Sequence, residues 1–458
     1  MKKLSYATLY VNDANITLLE DGKILYCQPS CVWVKNDEIE FGAQALSKSR
    51  IMPQNIDTHY WSNLSTLKYT SDHNKHISSA DIVSRELEII NSIKSDDLPL
   101  LIVIPPYLNN QQLSLFLGIA NDLDIKILGF IESSIASTRR EYIAAKLVHI
   151  DLHLHCLSLS LMSQTDKLSA DKMFIIDDCG QSEFDASWIK MISQSFIKQC
   201  RFDPLYAAES DQQIINNLSF WVAKSISQKT VHLEIEYGNQ VYESDINSSD
   251  FIDAVMPLYK HIINKLRAIF EAEDLPAIQL TNLIAKLPGL AILMKQKLSA
   301  AVYENDEGCA VIGASERFSI KEQEDGPLKI IKSLPLDQSA ISINKVNTES
   351  TNNDKPSHIL FENIAYPISL TPIMIGTDPT QTDNILPISS NKTGISRDHC
   401  SLFVKNNKCI LNDLSRYGTY LNNQRVEGPS IVSVGDKIRI GSPGIEITLI
   451  TIRKAIGS

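Results

Sequence analysis

His149, Asp151, His153 and His155 recur at every second position of one segment. In an extended strand they share a face, opposite Ile150, Leu152 and Leu154. Imidazoles and a carboxylate are competent ligands for zinc or iron. Same-face neighbours on a strand lie roughly 6.5 Å apart, however, and one strand rarely brings more than two ligands to one ion. A polar sheet face beside a cleft is therefore the favoured reading, and a metal centre the lesser one. Cys156 follows His155 directly, but adjacent strand residues point to opposite faces, which argues against a Cys–His nucleophile. The eight Cys contain no CxxC pair, and Cys27 and Cys31 have no second pair downstream to complete a zinc site. They read as free thiols of a reducing cytosol.

The elements that would position these groups are legible in outline. Residues 4–47 alternate as short strands, with Asp21-Gly22 as a hairpin signal. Leu98–Ile104 reads as a buried strand ended by Pro105-Pro106, Gln111–Leu123 as a helix and Ile125–Ile131 as the next strand, the order of an α/β domain. Val148–Met162 reads as a strand or hairpin. Asp185–Gln199, Asp211–Gln228 and Phe251–Ala272 have helical spacing, Gln279–Leu283 reads as a strand and Leu290–Ala301 as a helix. Residues 321–356 are polar and read as a linker. Beyond them come only short strands with turns every eight to twelve residues, the pattern of a β-sandwich.

At 458 residues, two or three domains are expected. Of the net charge of −11, residues 1–356 carry 33 Lys/Arg against 46 Asp/Glu, a net of −13, and the remainder ten against eight, a net of +2. That acidity argues against nucleic-acid binding by the N-terminal part. No apolar run is long enough to span a bilayer and no secretory core follows the N-terminus, so the expectation is a cytoplasmic protein without membrane insertion.

Four motifs stand in order near the C-terminus: Ile375-Gly376, Ser396-Arg397-Asp398-His399, Asp413 to Asn422 with Tyr417-Gly418-Thr419 inside it, and Val434 to Gly441. Together they resemble the forkhead-associated (FHA) family over residues 357–453, with 454–458 as a tail. The resemblance implies a β-sandwich that binds phosphothreonine on loops at one end. Ser396 would offer its hydroxyl and Arg397 its charge, His399 would brace the loop from inside, and Gly418 would permit the tight turn. Two positions depart from the family: Thr377 replaces an Arg after Gly376, and Tyr417 replaces an Asn before Gly418. Losing an Arg contact costs roughly 1.5–3 kcal/mol; Arg416 is placed to restore that charge. The partner expected is a protein, phosphothreonine-containing or unphosphorylated.

Residues 1–320 resemble the two-lobed, ribonuclease-H-like actin fold as found in DnaK-type heat-shock chaperones. The matching segments include Leu9–Leu18, Phe41 to Ala45, Leu100–Pro105, Gly129 to Ser133, Val148–Leu152, Gln279–Leu283 and Gly308 to Ala314. That family wraps ATP phosphates with glycine turns and holds magnesium through an Asp at each. Here the first turn reads Tyr10-Val11-Asn12, and Asp13 comes near the pocket only if the register slips. The second reads Asp151-Leu152-His153-Leu154-His155, and the adenosine strand's Gly-Gly reads Asn282-Leu283. Glu132 matches the pocket Glu and Lys224 a helix Lys, but a Glu expected near Trp221 is missing. ATP and magnesium are what the resemblance implies; the absent glycines argue for no cofactor. The chain thus reads as a non-catalytic adaptor, a pseudo-ATPase fused to an FHA module. Its rivals are an ATP-dependent, chaperone-like switch with atypical phosphate loops and a metalloenzyme using the His-rich strand.

Overall fold

The fold is a computed structural model that describes residues 5–36, 38–69, 77–164, 168–271, 273–319, 330–342, 356–361, 364–369, 371–379, 384–388, 394–405, 408–422, 424–426, 428–441 and 444–450. The chain divides into two compact units, 1–346 and 347–458.

The first unit contains two sheets of the same design. Strands β1 (Ala7–Asn12), β2 (Asn15–Glu20), β3 (Lys23–Gln28), β4 (Leu100–Ile104) and β5 (Ile127–Glu132) form the first, in the order β5-β4-β1-β2-β3. The meander β1-β2-β3 is antiparallel, while β4 and β5 run parallel to β1. Strands β6 (Lys146–Leu152), β7 (Cys156–Gln164), β8 (Leu168–Asp177), β9 (Pro276–Leu280) and β10 (Ala301–Glu304) repeat that order and those directions. The apolar run of β4 is buried at every position, as a central parallel strand requires, and Pro105-Pro106 removes the donors that would extend it.

Helices cover the sheets. The helix Ser79–Ile93 starts with a capping box between Ser78 and Asp81. Helices Gln181–Cys200, Ala208–Ser227 and Ser248–Ile269 belong to the second half, with a hairpin of Thr230–Tyr237 and Gln240–Asn247 between the last two. Its turn residues Gly238 and Asn239 both have positive φ (57° and 63°), the twist that suits a two-residue hairpin. The strand expected at Gln279–Leu283 ends at Leu280, and Thr281 takes the N-cap position of a short helix Asn282–Ala285. The closing helix Cys309–Arg317 returns to helix Ser133–Ser137; a Cβ on Gly313 would overlap the Ala136 carbonyl, so glycine permits that approach. A shared core joins the two sheets, drawing Tyr10, Val103 and Ile131 from the first, Leu147 and Ala277 from the second, and Ala310 and Ala314 from the closing helix.

Within the expected linker over 321–356, residues 330–342 pack against the first unit. Ile330–Ile331 pairs in parallel with β5, and Ile341–Ser342 with Tyr142–Ile143. Leu334 is 2% exposed in the shared core, and Asp337 pairs with Arg139 at Nε (3.0 Å). Few apolar residues suffice here because the first unit supplies the rest of the surface. Residues 321–329 and 343–355 lie outside the described residues, as does the 454–458 tail.

The second unit packs two antiparallel-rich sheets around Ile373, Ile375, Cys400, Leu402, Leu411, Ile438, Ile440 and Ile447. Strand Ile373–Gly376 pairs with Cys400–Lys405, so Gly376 and the segment before Cys400 emerge at one end.

Candidate functional sites

In the first unit, Asp151 sits one residue from the end of β6, 1% exposed. Its Oδ2 accepts from the Tyr10 hydroxyl and from Ser133 Oγ (3.1 Å), and its Oδ1 accepts from Thr281 Oγ1 (2.9 Å). Burial, and the carboxylate beside it, push the Tyr10 phenol well above its ordinary pKa, so it stays a donor. Asn12 at the end of β1 donates to the Tyr10 oxygen (3.2 Å) and to Leu152 O (3.1 Å), and accepts from His153 Nδ1 (3.2 Å). Asp13 accepts from the Leu154 N–H at 2.7 Å. The first hairpin turn is thus stitched directly to the second. Tyr10 and Asp13 both reach this seam, so no register slip is needed to bring either there.

The helix Gln181–Cys200 completes the closure. The N–H groups of Gln181 and Ser182, which an anion would otherwise use, donate to the carbonyls of His153 and Leu154, each at 2.9 Å. What remains is a cavity of about 60 Å³ lined by Tyr10, Asp151, Asn282, Leu283 and Cys309. Small-molecule pockets run to about 300–1,000 Å³.

His149, Asp151, His153 and His155, the set of the lesser metal-centre reading, do not share one strand face. The strand ends at Leu152, so His153 and His155 fall in its turn. His149 Nδ1 donates to Gln279 (3.1 Å), and burial lowers its pKa. His153 Nε2 accepts from Ser158 Oγ (2.9 Å), and His155 stacks on His59 with centroids 3.6 Å apart. Glu132 closes β5 and accepts from Ser134 Oγ at 2.6 Å. Lys224 lies in the last turn of its helix with its ammonium over the Phe220 ring (4.2 Å), and it does not line the cavity beside Asp151. Thr281 and Ser133, which hold Asp151, were not singled out by sequence; nothing local marks them.

In the second unit the loops at one end are built around Ser396. Its N–H donates to His399 Nδ1 (3.1 Å), its carbonyl accepts from the Thr377 N–H (3.1 Å), and its Oγ accepts from the Arg416 N–H (3.2 Å). His399 is fully buried, and burial lowers its pKa. A Cβ on Gly376 would overlap the Arg397 carbonyl. Asp413 accepts from Ser415 N (3.0 Å), Thr419 N (3.2 Å) and Thr419 Oγ1 (2.7 Å). Burial opposes ionisation there, but these bonds outweigh it and hold the carboxyl below its ordinary pKa. Gly418, at φ 95°, completes the turn by donating to Ser415 Oγ (2.7 Å). On this braced base Arg397, Arg416 and Tyr417 are exposed, and the Arg416 guanidinium lies 5.9 Å from the Tyr417 ring centroid.

No family match supports the actin-like expectation for the first unit, and no curated protein matches the chain. No helix among the described residues is long and apolar enough to cross a membrane. Residues 373–441 match the FHA domain family, whose members bind phosphothreonine-containing partners, so the chain carries an FHA domain, a phosphopeptide-recognising interaction module.

Proposed function

We propose that the protein is a non-catalytic adaptor: the FHA domain engages a phosphothreonine through Ser396, Arg397 and Arg416, and residues 1–346 form a degenerate actin-like unit that docks a second protein without turning over ATP. The observation that carries this reading is the bond from Arg416 N–H to Ser396 Oγ. It fixes the hydroxyl as an acceptor from behind and leaves its own proton for a phosphate oxygen. Arg397, and the Arg416 side chain starting from that bond, bring two guanidinium groups to the same loops. Arg416 then supplies the charge that Thr377 lacks.

For the first unit, support comes from the repeated sheet order, with the same strand directions in both halves, and from β1 and β6 ending together at the seam. A nucleotide would have to break the Tyr10–Asp151, Asn12–His153 and Asp13–Leu154 bonds to enter. The test is a phosphothreonine peptide library screened against the full chain, the Ser396→Ala chain and the Arg397→Ala chain. Selective capture by the unaltered chain alone is the expected result. Equal capture of dephosphorylated peptides would overturn the phosphate assignment.

A further inference from the structure

A second cavity in the first unit is larger than the one beside Asp151. It measures about 360 Å³ and opens among the loop after helix Ser133–Ser137, the ends of β9 and β10, and Gln338 of the docked 330–342 segment. Arg139 at its edge is already spent on Glu316 and Asp337. Its neighbour Arg140 has a different partner: Nε donates to the neutral amide oxygen of Gln338 (2.9 Å), and Nη2 to the same atom. Among the described residues no carboxylate pairs with Arg140. A guanidinium fork prefers a carboxylate to an amide oxygen, because the charge-assisted bonds are roughly twice as strong.

A second observation points to a missing acceptor. Asn305 also lines the cavity. Its Oδ1 accepts from Gln279 Nε2 (3.1 Å), and its Nδ2, shielded from solvent, meets no oxygen acceptor among the described residues, with only the weakly accepting Cys309 sulfur beside it. A buried donor left unpaired is costly, so such a group marks a place where a ligand atom or water belongs. The Tyr142 and Tyr303 rings, with centroids 4.8 Å apart, supply the apolar wall. Outside these donors the lining is of opposite sign: Glu304, Asp306 and Glu307 are exposed carboxylates. The site is thus donor-rich within and acidic at its rim, which disfavours a phosphate dianion and suits a ligand with a carboxylate at one end and an ammonium beside it.

We propose that this cavity binds a free α-amino acid, its carboxylate displacing the Gln338 amide from Arg140 and accepting from Asn305 Nδ2, its ammonium facing the rim carboxylates. Gln338 is then a placeholder that competes with the ligand. The volume, near the lower end of small-molecule sites, fits a ligand of that size.

The test is calorimetric and thermal-shift titration of the full chain with each of the twenty standard amino acids. The corresponding α-amides and acetate serve as probes lacking the carboxylate and the ammonium. At least one amino acid is expected to bind and raise the melting temperature, while its amide and acetate do neither. Arg140→Met should weaken binding at least about tenfold, the scale of one charge-assisted hydrogen bond. Gln338→Ala should tighten it, which a purely structural Gln338 would not do, and this variant keeps the proposal testable if Arg140→Met fails to fold. Binding by none of the amino acids, equal binding of the amides, or an unchanged or weaker affinity in Gln338→Ala would overturn it.

Discussion

Two regions of this chain gather polar side chains of the kind that meet anions, and they treat those groups in opposite ways. Around Asp151 the polar groups are turned on one another: Tyr10, Ser133 and Thr281 donate to the carboxylate, and Asn12, Asp13 and His153 bind the two turns to each other. Around Ser396 the buried His399 and Thr419 and the half-buried Asp413 bond only within the scaffold, and the cations remain outside. The first arrangement spends its polar groups on stability, since a buried polar group must be paired. The second spends its buried groups on geometry and leaves charge for a ligand. Residue type alone does not separate these cases; what the side chains already touch does.

The sharpest way to break the comparison is at the phosphate loops. The double variant Ser396→Ala, Arg397→Ala should lose about a hundredfold or more in phosphopeptide affinity, two charge-assisted contacts together, with its melting temperature nearly unchanged. The seam should respond in stability instead. Asp151→Ala leaves three hydroxyls without their acceptor and should cost about 3 kcal/mol, read by denaturant unfolding. Leu334→Ala should cost roughly 2–4 kcal/mol in the same unit, because the docked segment reaches the shared core; a free linker would show no change.

Two smaller effects sharpen the picture of the FHA loops. Burial holds His399 below its ordinary pKa of about 6.5, so the unfolded chain binds the proton more readily. The unit should therefore lose stability as pH falls through about 6.5 and on towards the lowered folded value, and regain it on raising pH. A melting curve series in which the His399→Asn chain lacks that step would attribute it to this ring. Tyr417→Asn, which restores the family's amide, should tighten phosphopeptide binding about fivefold, the scale of one net hydrogen bond.

The FHA region was legible because its determinants are local: Gly376 against Arg397, Ser396 three residues from His399, Gly418 beside Ser415. The α/β succession from Leu100 to Ile131 was legible for the same reason. The seam was not, because Tyr10 and Asp151 are 141 residues apart and Thr281 a further 130 from Asp151. No periodicity encodes such a meeting. The hairpin over 230–247 was missed although Val231, Leu233 and Ile235 alternate before Gly238-Asn239, a signal that was present. The 330–342 segment was read as linker because its few apolar residues bury themselves against surface contributed from far away in sequence.

Titration calorimetry of the full chain with ATP and magnesium separates a filled cleft from a working one most directly. If the Asp151 seam is closed by its own side chains, millimolar nucleotide gives no heat and no thermal stabilisation. Micromolar binding that disappears in the Asp151→Ala chain would contradict it and make the first unit a nucleotide switch without glycine loops.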